Sequence, residues 1–121
     1  MIFLRSLGFA FTGLRLLITT QRHARFHLAA TLAVAGLAAW LRLPAAGWLW
    51  LVMAAALVWM AEAFNTAIET LADRVTREQD PLIGRAKDLA AGAVLVASAA
   101  ALLIGAVVLA PPLLARSIDA P

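Results

Sequence analysis

Four polar residues in an otherwise apolar stretch carry the strongest chemical signal: Glu62, Asn65, Glu69 and Asp73. At about 100° per residue on an α-helix, Glu62, Glu69 and Asp73 fall within about 40° of one another, with Asn65 about 60° to one side. Thr66 shares that face, while Ala61, Phe64, Ile68 and Leu71 make the opposite face apolar. An acid near the centre of a membrane helix costs at least ~2.5 kcal/mol, so such residues face protein, water or a cation. Three negative charges in a column also repel one another. A divalent cation relieves the repulsion, and hard oxygen ligands select Mg²⁺. The competing reading leaves Asp73, and with it Glu69, in the headgroup zone, paired with Arg74 or Arg77. Downstream, Arg85 and Lys87 are separated by one residue and Asp88 follows. Alone, the two cations read as anchors at the membrane face and Asp88 as a helix N-cap. Beside the acid column they allow a second arrangement. The acids hold a metal, the metal bridges phosphates, and the cations hold the remaining phosphate charge, which are the parts phosphoryl transfer needs. No GxxxxGK[ST] loop is present, so the P-loop solution is excluded.

The framework that holds these side chains follows from composition. Of 121 residues, 64% are hydrophobic and 14% charged. An ordinary soluble domain carries about 25% charged residues, and one this small cannot hide so much apolar side chain. An all-α integral membrane protein of one domain, residues 1–121, is expected. The absence of cysteine rules out disulfides and thiolate metal sites. Apolar runs long enough to cross a hydrocarbon core, roughly 20 residues of helix, predict spans at about 27–42, 47–75 and 88–110. The first of these is the shortest, and its length also suits a re-entrant segment. Pro111 and Pro112 are expected to end the last.

Residues 1–22 differ. Arg5, Thr12, Arg15, Thr19 and Arg22 fall within about 100° of one another on a helix otherwise made of Ile, Phe, Leu and Ala. That pattern predicts an amphipathic helix lying in the membrane interface. A cleaved signal peptide is the alternative, but the charges are spread along the segment and no A-x-A site closes it. Arg5, Arg15, Arg22, Arg25, Arg74, Arg77, Arg85 and Lys87 lie on one side of this arrangement, and Arg42 and Arg116 on the other. The asymmetry puts the N-terminal helix and the 74–88 loop in the cytoplasm. It also assigns the net charge of +3 to topology, with no nucleic-acid partner. Trp40, Trp48 and Trp50 suit an interfacial belt at the outer turn, and Trp59, deeper, reads as packing.

The stretch EAFNTAIETLAD (62–73), followed by GRAKD (84–88), resembles the prokaryotic diacylglycerol kinase family, which includes the undecaprenol kinases of Gram-positive bacteria. The family pattern is roughly E-x-x-N-[ST]-A-[IL]-E-x-x-x-D, a loop of about ten residues, then a segment like RAKD, and every fixed position is met. GLR (13–15), R-F-H (25–27) and the layout of a surface helix with three spans are also similar to the family. The resemblance implies a homotrimeric bacterial inner-membrane kinase that passes the γ-phosphoryl of MgATP to the hydroxyl of a membrane lipid. Its sites would lie at subunit interfaces near the cytoplasmic surface. By position, Glu62 resembles the general base, Glu69 a Mg²⁺ ligand and Asn65 a site-organising hydrogen bonder. Lys87, Arg85 and Arg15 resemble phosphate contacts, and Asp73 and Asp88 nucleotide-side residues. Many members carry a second metal-ligating glutamate at the end of the surface helix. Gln21 stands there instead, and an amide oxygen binds Mg²⁺ more weakly and without charge. Phe9 and Gln79 replace aromatic residues of some relatives.

Diacylglycerol is the expected acceptor. Undecaprenol is the alternative, towards which the R-x-H arrangement at His27 leans, although His27 also reads simply as an interfacial histidine. A rival class is a proton- or cation-coupled small transporter, in which the membrane acids bind cation or proton in turn. Against it stands Arg85-Ala86-Lys87-Asp88, which a small-cation exchanger does not need. Burying the column needs a partner, and Ala91, Gly92, Ala97, Ser98, Ala101 and Gly105 suit close helix contacts in an oligomer.

Overall fold

A computed structural model of the chain describes residues 2–76, 78 and 80–118, with the backbone alone at residue 2. Arg77 and Gln79 therefore lie outside the described residues. Four helices follow in order: α1 (Ile2–Thr20), α2 (Arg22–Trp40), α3 (Ala45–Val75) and α4 (Pro81–Ile118). The all-helical class is as expected, and α3 and α4 are long and apolar enough to cross a membrane. α2 is not among such helices. It starts five residues before the expected span, and its first turns contain Arg22, His23 and Arg25. The α1–α2 break falls at Gln21, whose backbone is extended (φ −99°, ψ 122°). Arg22, expected on the surface helix, thus belongs to α2.

The bundle is built chiefly on α3 against α4, with α2 added to α3 and α1 resting more on α2 than on α3. The buried positions of α3 are Leu51, Ala54, Val58, Glu62 and Ala72. They follow the three-to-four-residue spacing of one helix face. Near the tryptophan-bearing turn, Ala38, Leu51 and Leu109 form an apolar cluster wrapped by Val34, Leu37, Trp48, Val108 and Leu113. Much of the remaining apolar surface points outward: Phe3, Leu4, Phe64, Leu89, Leu95 and Leu102 are each at least 66% exposed. A soluble protein does not leave a patch of that extent facing water.

Two boundaries differ from expectation, one at each end of α4. The connection between α3 and α4 is only five residues, not the 74–88 loop. The carboxylate of Asp80 accepts hydrogen bonds from the backbone N–H groups of Leu82 (2.8 Å) and Ile83 (3.1 Å). Pro81 fills the first helical position, where a missing N–H costs nothing. Asp80 therefore caps α4, and Asp88 sits two turns inside it rather than at its start. At the other end α4 runs through Pro111 and Pro112 to Ile118. Two prolines remove helix hydrogen bonds at a cost of ~3 kcal/mol or more in a helix interior. Tertiary contacts hold the turn beyond them. Leu113 packs on the apolar cluster. Arg116 Nη1 donates to the Trp40 carbonyl at 2.8 Å, and its guanidinium lies 4.3 Å from the centroid of the Trp40 ring. The α2–α3 turn closes with Arg42 in the left-handed region (φ 54°). Arg42 N–H bonds the Ala39 carbonyl (3.0 Å) and Leu43 N–H the Ala38 carbonyl (3.1 Å), a Schellman ending without the usual glycine.

Candidate active site

α3 carries the acid column along the face that holds its apolar core. Leu51, Ala54 and Val58 continue at helical spacing into Glu62, Asn65 and Glu69. Glu62 is only 4% exposed, and it is the one buried charged residue among those described. It has no hydrogen-bond or ion-pair partner among the described residues. A buried charge is costly unless it is paired, and the described residues supply no partner here. One turn on, Asn65 Nδ2 donates to Glu69 Oε1 at 3.3 Å. The amide's other end, Oδ1, is buried and accepts nothing. An orphaned buried acceptor costs about 1–3 kcal/mol unless a donor from outside the chain reaches it.

The column ends on an ion pair. Lys87 Nζ of α4 meets Asp73 Oδ1 of α3 at 2.5 Å. The partner of Asp73 is thus Lys87 rather than Arg74. The two side chains are 37% and 66% exposed, so solvent screening leaves the pair at most about 1 kcal/mol. Together with Thr76, Glu78, Asp80 and Gly84 they line a polar cavity of about 510 Å³ at the α3–α4 connection. Three carboxylates, Asp73, Glu78 and Asp80, line it against the one cation Lys87, and Asp80 already takes the N–H groups of Leu82, Ile83 and Gly84.

Arg85 and Asp88 look elsewhere. They sit at one end of an apolar groove of about 1010 Å³ between α3 and α4, lined by Met60, Phe64, Leu89, Gly92 and Val96. The expectation that Arg85 and Lys87 jointly hold phosphate is thus not met within one chain. Residues two apart on a helix point about 200° apart and do not share a surface. A third cavity, about 780 Å³, separates α1 from α3 and is lined by Gly13, Leu17, Thr66, Thr70 and Arg74. Arg15 is exposed on α1, its carbonyl accepting the Thr19 hydroxyl at 2.9 Å. Gln21 is half-buried at the helix break, and its side chain makes no capping bond. None of these three cavities is lined by Glu62, Asn65, Glu69, Arg15 or Gln21.

The donor set fits a particular kind of metal. Among the described residues no three His, Asp or Glu converge on one point, so no dedicated protein cage exists. Glu69 offers a carboxylate with only one oxygen engaged by Asn65. One carboxylate suits a Mg²⁺ ion that arrives already bound to phosphate oxygens. Two features escaped sequence reasoning. Trp59, read as packing, donates its indole N–H to Thr31 Oγ1 at 3.2 Å, joining α3 to α2. Asp80 as the cap of α4 was signalled by the Asp-Pro dipeptide at 80–81.

Residues 8–109 match the family described as prokaryotic diacylglycerol kinase. The chain belongs to that family. It is 39% identical to the diacylglycerol kinase of Synechocystis over 110 residues, which is 90% of this chain and 63% of that protein. It is 34% identical to the diacylglycerol kinase of Escherichia coli K12 over 94 residues, 78% of this chain and 77% of that one. It is 33% identical to the undecaprenol kinase of Bacillus subtilis over 111 residues, 92% of this chain and 90% of that one. The chain therefore spans a little under two thirds of the Synechocystis relative and most of the other two.

Proposed function

We propose that the chain is an ATP-dependent lipid kinase that passes the γ-phosphoryl of MgATP to the hydroxyl of diacylglycerol, giving phosphatidic acid. Lipid kinase activity follows from the family; the acceptor, the metal and the residue roles are our own reading. The carrying observation is the buried, unpartnered Glu62 in one column with an Asn65–Glu69 pair whose amide oxygen is orphaned. In this reading Glu62 takes the proton of the lipid hydroxyl as general base. Glu69, with Gln21 as a weak neutral helper, receives the Mg²⁺ that comes with the nucleotide. Asn65 orients Glu69. Lys87 and Asp73 meet the nucleotide in the polar cavity, and Asp88, Arg85 and Arg15 serve it from surfaces that a neighbouring subunit completes. Catalysis is then positioning plus charge neutralisation, as phosphoryl transfer requires.

Placement belongs to the same proposal. α2, α3 and α4 span the bacterial inner membrane as a single domain, α1 lies in its cytoplasmic interface, and three copies associate. The separation of Arg85 from Lys87 supports sites shared between subunits, since one chain presents its two cations to different spaces. A second reading keeps the chemistry and changes the acceptor to undecaprenol. It is favoured by the match over nearly the whole length of the Bacillus subtilis undecaprenol kinase.

The test offers purified protein radiolabelled ATP and Mg²⁺ with diacylglycerol and undecaprenol in parallel. Label is expected in phosphatidic acid, and none with Glu62→Gln. Label in undecaprenyl phosphate alone selects the second reading. ADP formation independent of any lipid alcohol, or full turnover by Glu62→Gln, overturns both. Cation movement without lipid phosphorylation would return the transporter class.

A further inference from the structure

We propose that Trp59 and Thr31 form a positioning pair that sets where the Glu62 carboxylate stands. The inference rests on the catalytic reading of Glu62 above. Trp59 Nε1 donates to Thr31 Oγ1 at 3.2 Å, and the same hydroxyl donates to the His27 carbonyl at 2.7 Å. The threonine hydroxyl is thereby used in both senses, once as acceptor and once as donor. The indole N–H has only the donor role, and in apolar surroundings it has no water to turn to. Among the described residues this is the sole side-chain hydrogen bond joining α2 to α3. α2 otherwise touches α3 far less extensively than α4 does.

Glu62 lies three residues beyond Trp59, about 60° round the helix and one turn nearer the basic end. Nothing on its own side chain fixes it, because it has no partner among the described residues. The antiparallel register, set by Asp73–Lys87 at one end and by Leu51 with Leu109 at the other, brings Ala97 and Ser98 of α4 level with Glu62. Small side chains of that kind put nothing bulky against the carboxyl to fix its place. The indole, anchored through Thr31 to the first turns of α2, resists a turn of α3 about its axis one helical repeat from the carboxyl. Displacing a catalytic group by about 1 Å costs up to a hundredfold in rate without any loss of binding.

The test uses the full chain in lipid vesicles with Thr31→Val, Thr31→Ser, Trp59→Phe and the Thr31→Val/Trp59→Phe double variant. Glu62→Gln is the reference. Thr31→Val and Trp59→Phe are expected to fold and to lose about tenfold in kcat with the KM for MgATP unchanged. The double variant is expected to be no slower than the worse single one, since both remove the same bond. Thr31→Ser restores the rate. In ¹H–¹⁵N spectra one indole resonance disappears in Trp59→Phe, and that same resonance moves in Thr31→Val. Wild-type kcat in either single variant overturns the proposal. So do losses that multiply in the double variant, or a Thr31→Ser as slow as Thr31→Val. Failure of the single variants to fold also overturns it, for that is the mark of a stabilising contact rather than a positioning one. If Glu62→Gln is inactive while the pair variants run at full speed, only this proposal falls. A fully active Glu62→Gln removes the catalytic reading itself.

Discussion

The two halves of the α3–α4 pair use the same helical face for opposite ends. Toward the tryptophan turn, Leu51 meets Leu109 in a cluster that also takes in Ala38, Val34 and Leu113. Toward the basic end the same face carries Glu62, Asn65 and Glu69, one of them buried without a partner and one with an orphaned oxygen. The helix geometry is continuous across the change; only the side chains differ. An apolar position on this face gains packing and costs nothing in desolvation. A carboxyl or amide there lowers stability unless something outside the chain completes it. The tryptophan half therefore holds the bundle together, and the acid half carries a buried carboxyl and an amide oxygen that the described residues leave unsatisfied.

The sharpest break of that contrast is Glu62→Gln. It is expected to lower kcat by about 10²–10⁴, the range of a lost general base. The thermal midpoint should hold or rise, because a neutral amide replaces a carboxyl with no partner among the described residues. A matched substitution in the other half, Leu51→Ala, should do the reverse. It should cost about 3 kcal/mol of stability while the folded fraction turns over at the wild-type rate. Stability is read from unfolding in a detergent series and turnover from lipid phosphorylation per folded protein. If both substitutions change both quantities alike, the halves are not functionally distinct.

Asn65→Leu gives a smaller effect and separates organisation from catalysis. It removes the orphaned acceptor and frees Glu69 from the amide. A gain of about 1 kcal/mol in stability is expected, together with a several-fold rise in the Mg²⁺ concentration needed for half-maximal rate. Unchanged metal dependence would remove Asn65 from the metal side of the site.

Much of this arrangement was legible from residue spacing. The acid column needed only the α-helical repeat, and the motif that names the family lies on that column and on 84–88. The unread parts share a cause: each depends on a contact distant in the chain. Arg116 steadies the turn after Pro111 and Pro112 by reaching 76 residues back to Trp40. Local propensity alone would have stopped the helix there. Arg42 adopts a conformation usually left to glycine, flanked by Leu41 and Leu43, which both pack on the cluster. The Trp59–Thr31 bond spans 28 residues, and no periodicity signals it. The parting of Arg85 from Lys87, by contrast, follows from helix geometry once α4 starts at Pro81. It was hidden by reading 74–88 as a loop.

The smallest expected effect lies at the far end of the tryptophan half, and it asks whether that half is as separate as it looks. Arg116 touches Trp40 twice, through the backbone carbonyl and over the ring face. The carbonyl is one that α2 leaves unsatisfied at its end, so the guanidinium acts as a remote helix cap. An exposed cation–π contact contributes about 0.5–1 kcal/mol, and a lost carbonyl bond at an exposed helix end adds little because water replaces it. Arg116→Gln should therefore lower stability by less than about 1 kcal/mol. It should speed hydrogen exchange of the amides from 113 to 118, in the turns beyond the two prolines. Turnover and the KM for MgATP should not move. Loss of turnover in Arg116→Gln would mean that strain passes along α4 from its proline turn to Lys87, and the division of labour between the halves would fail.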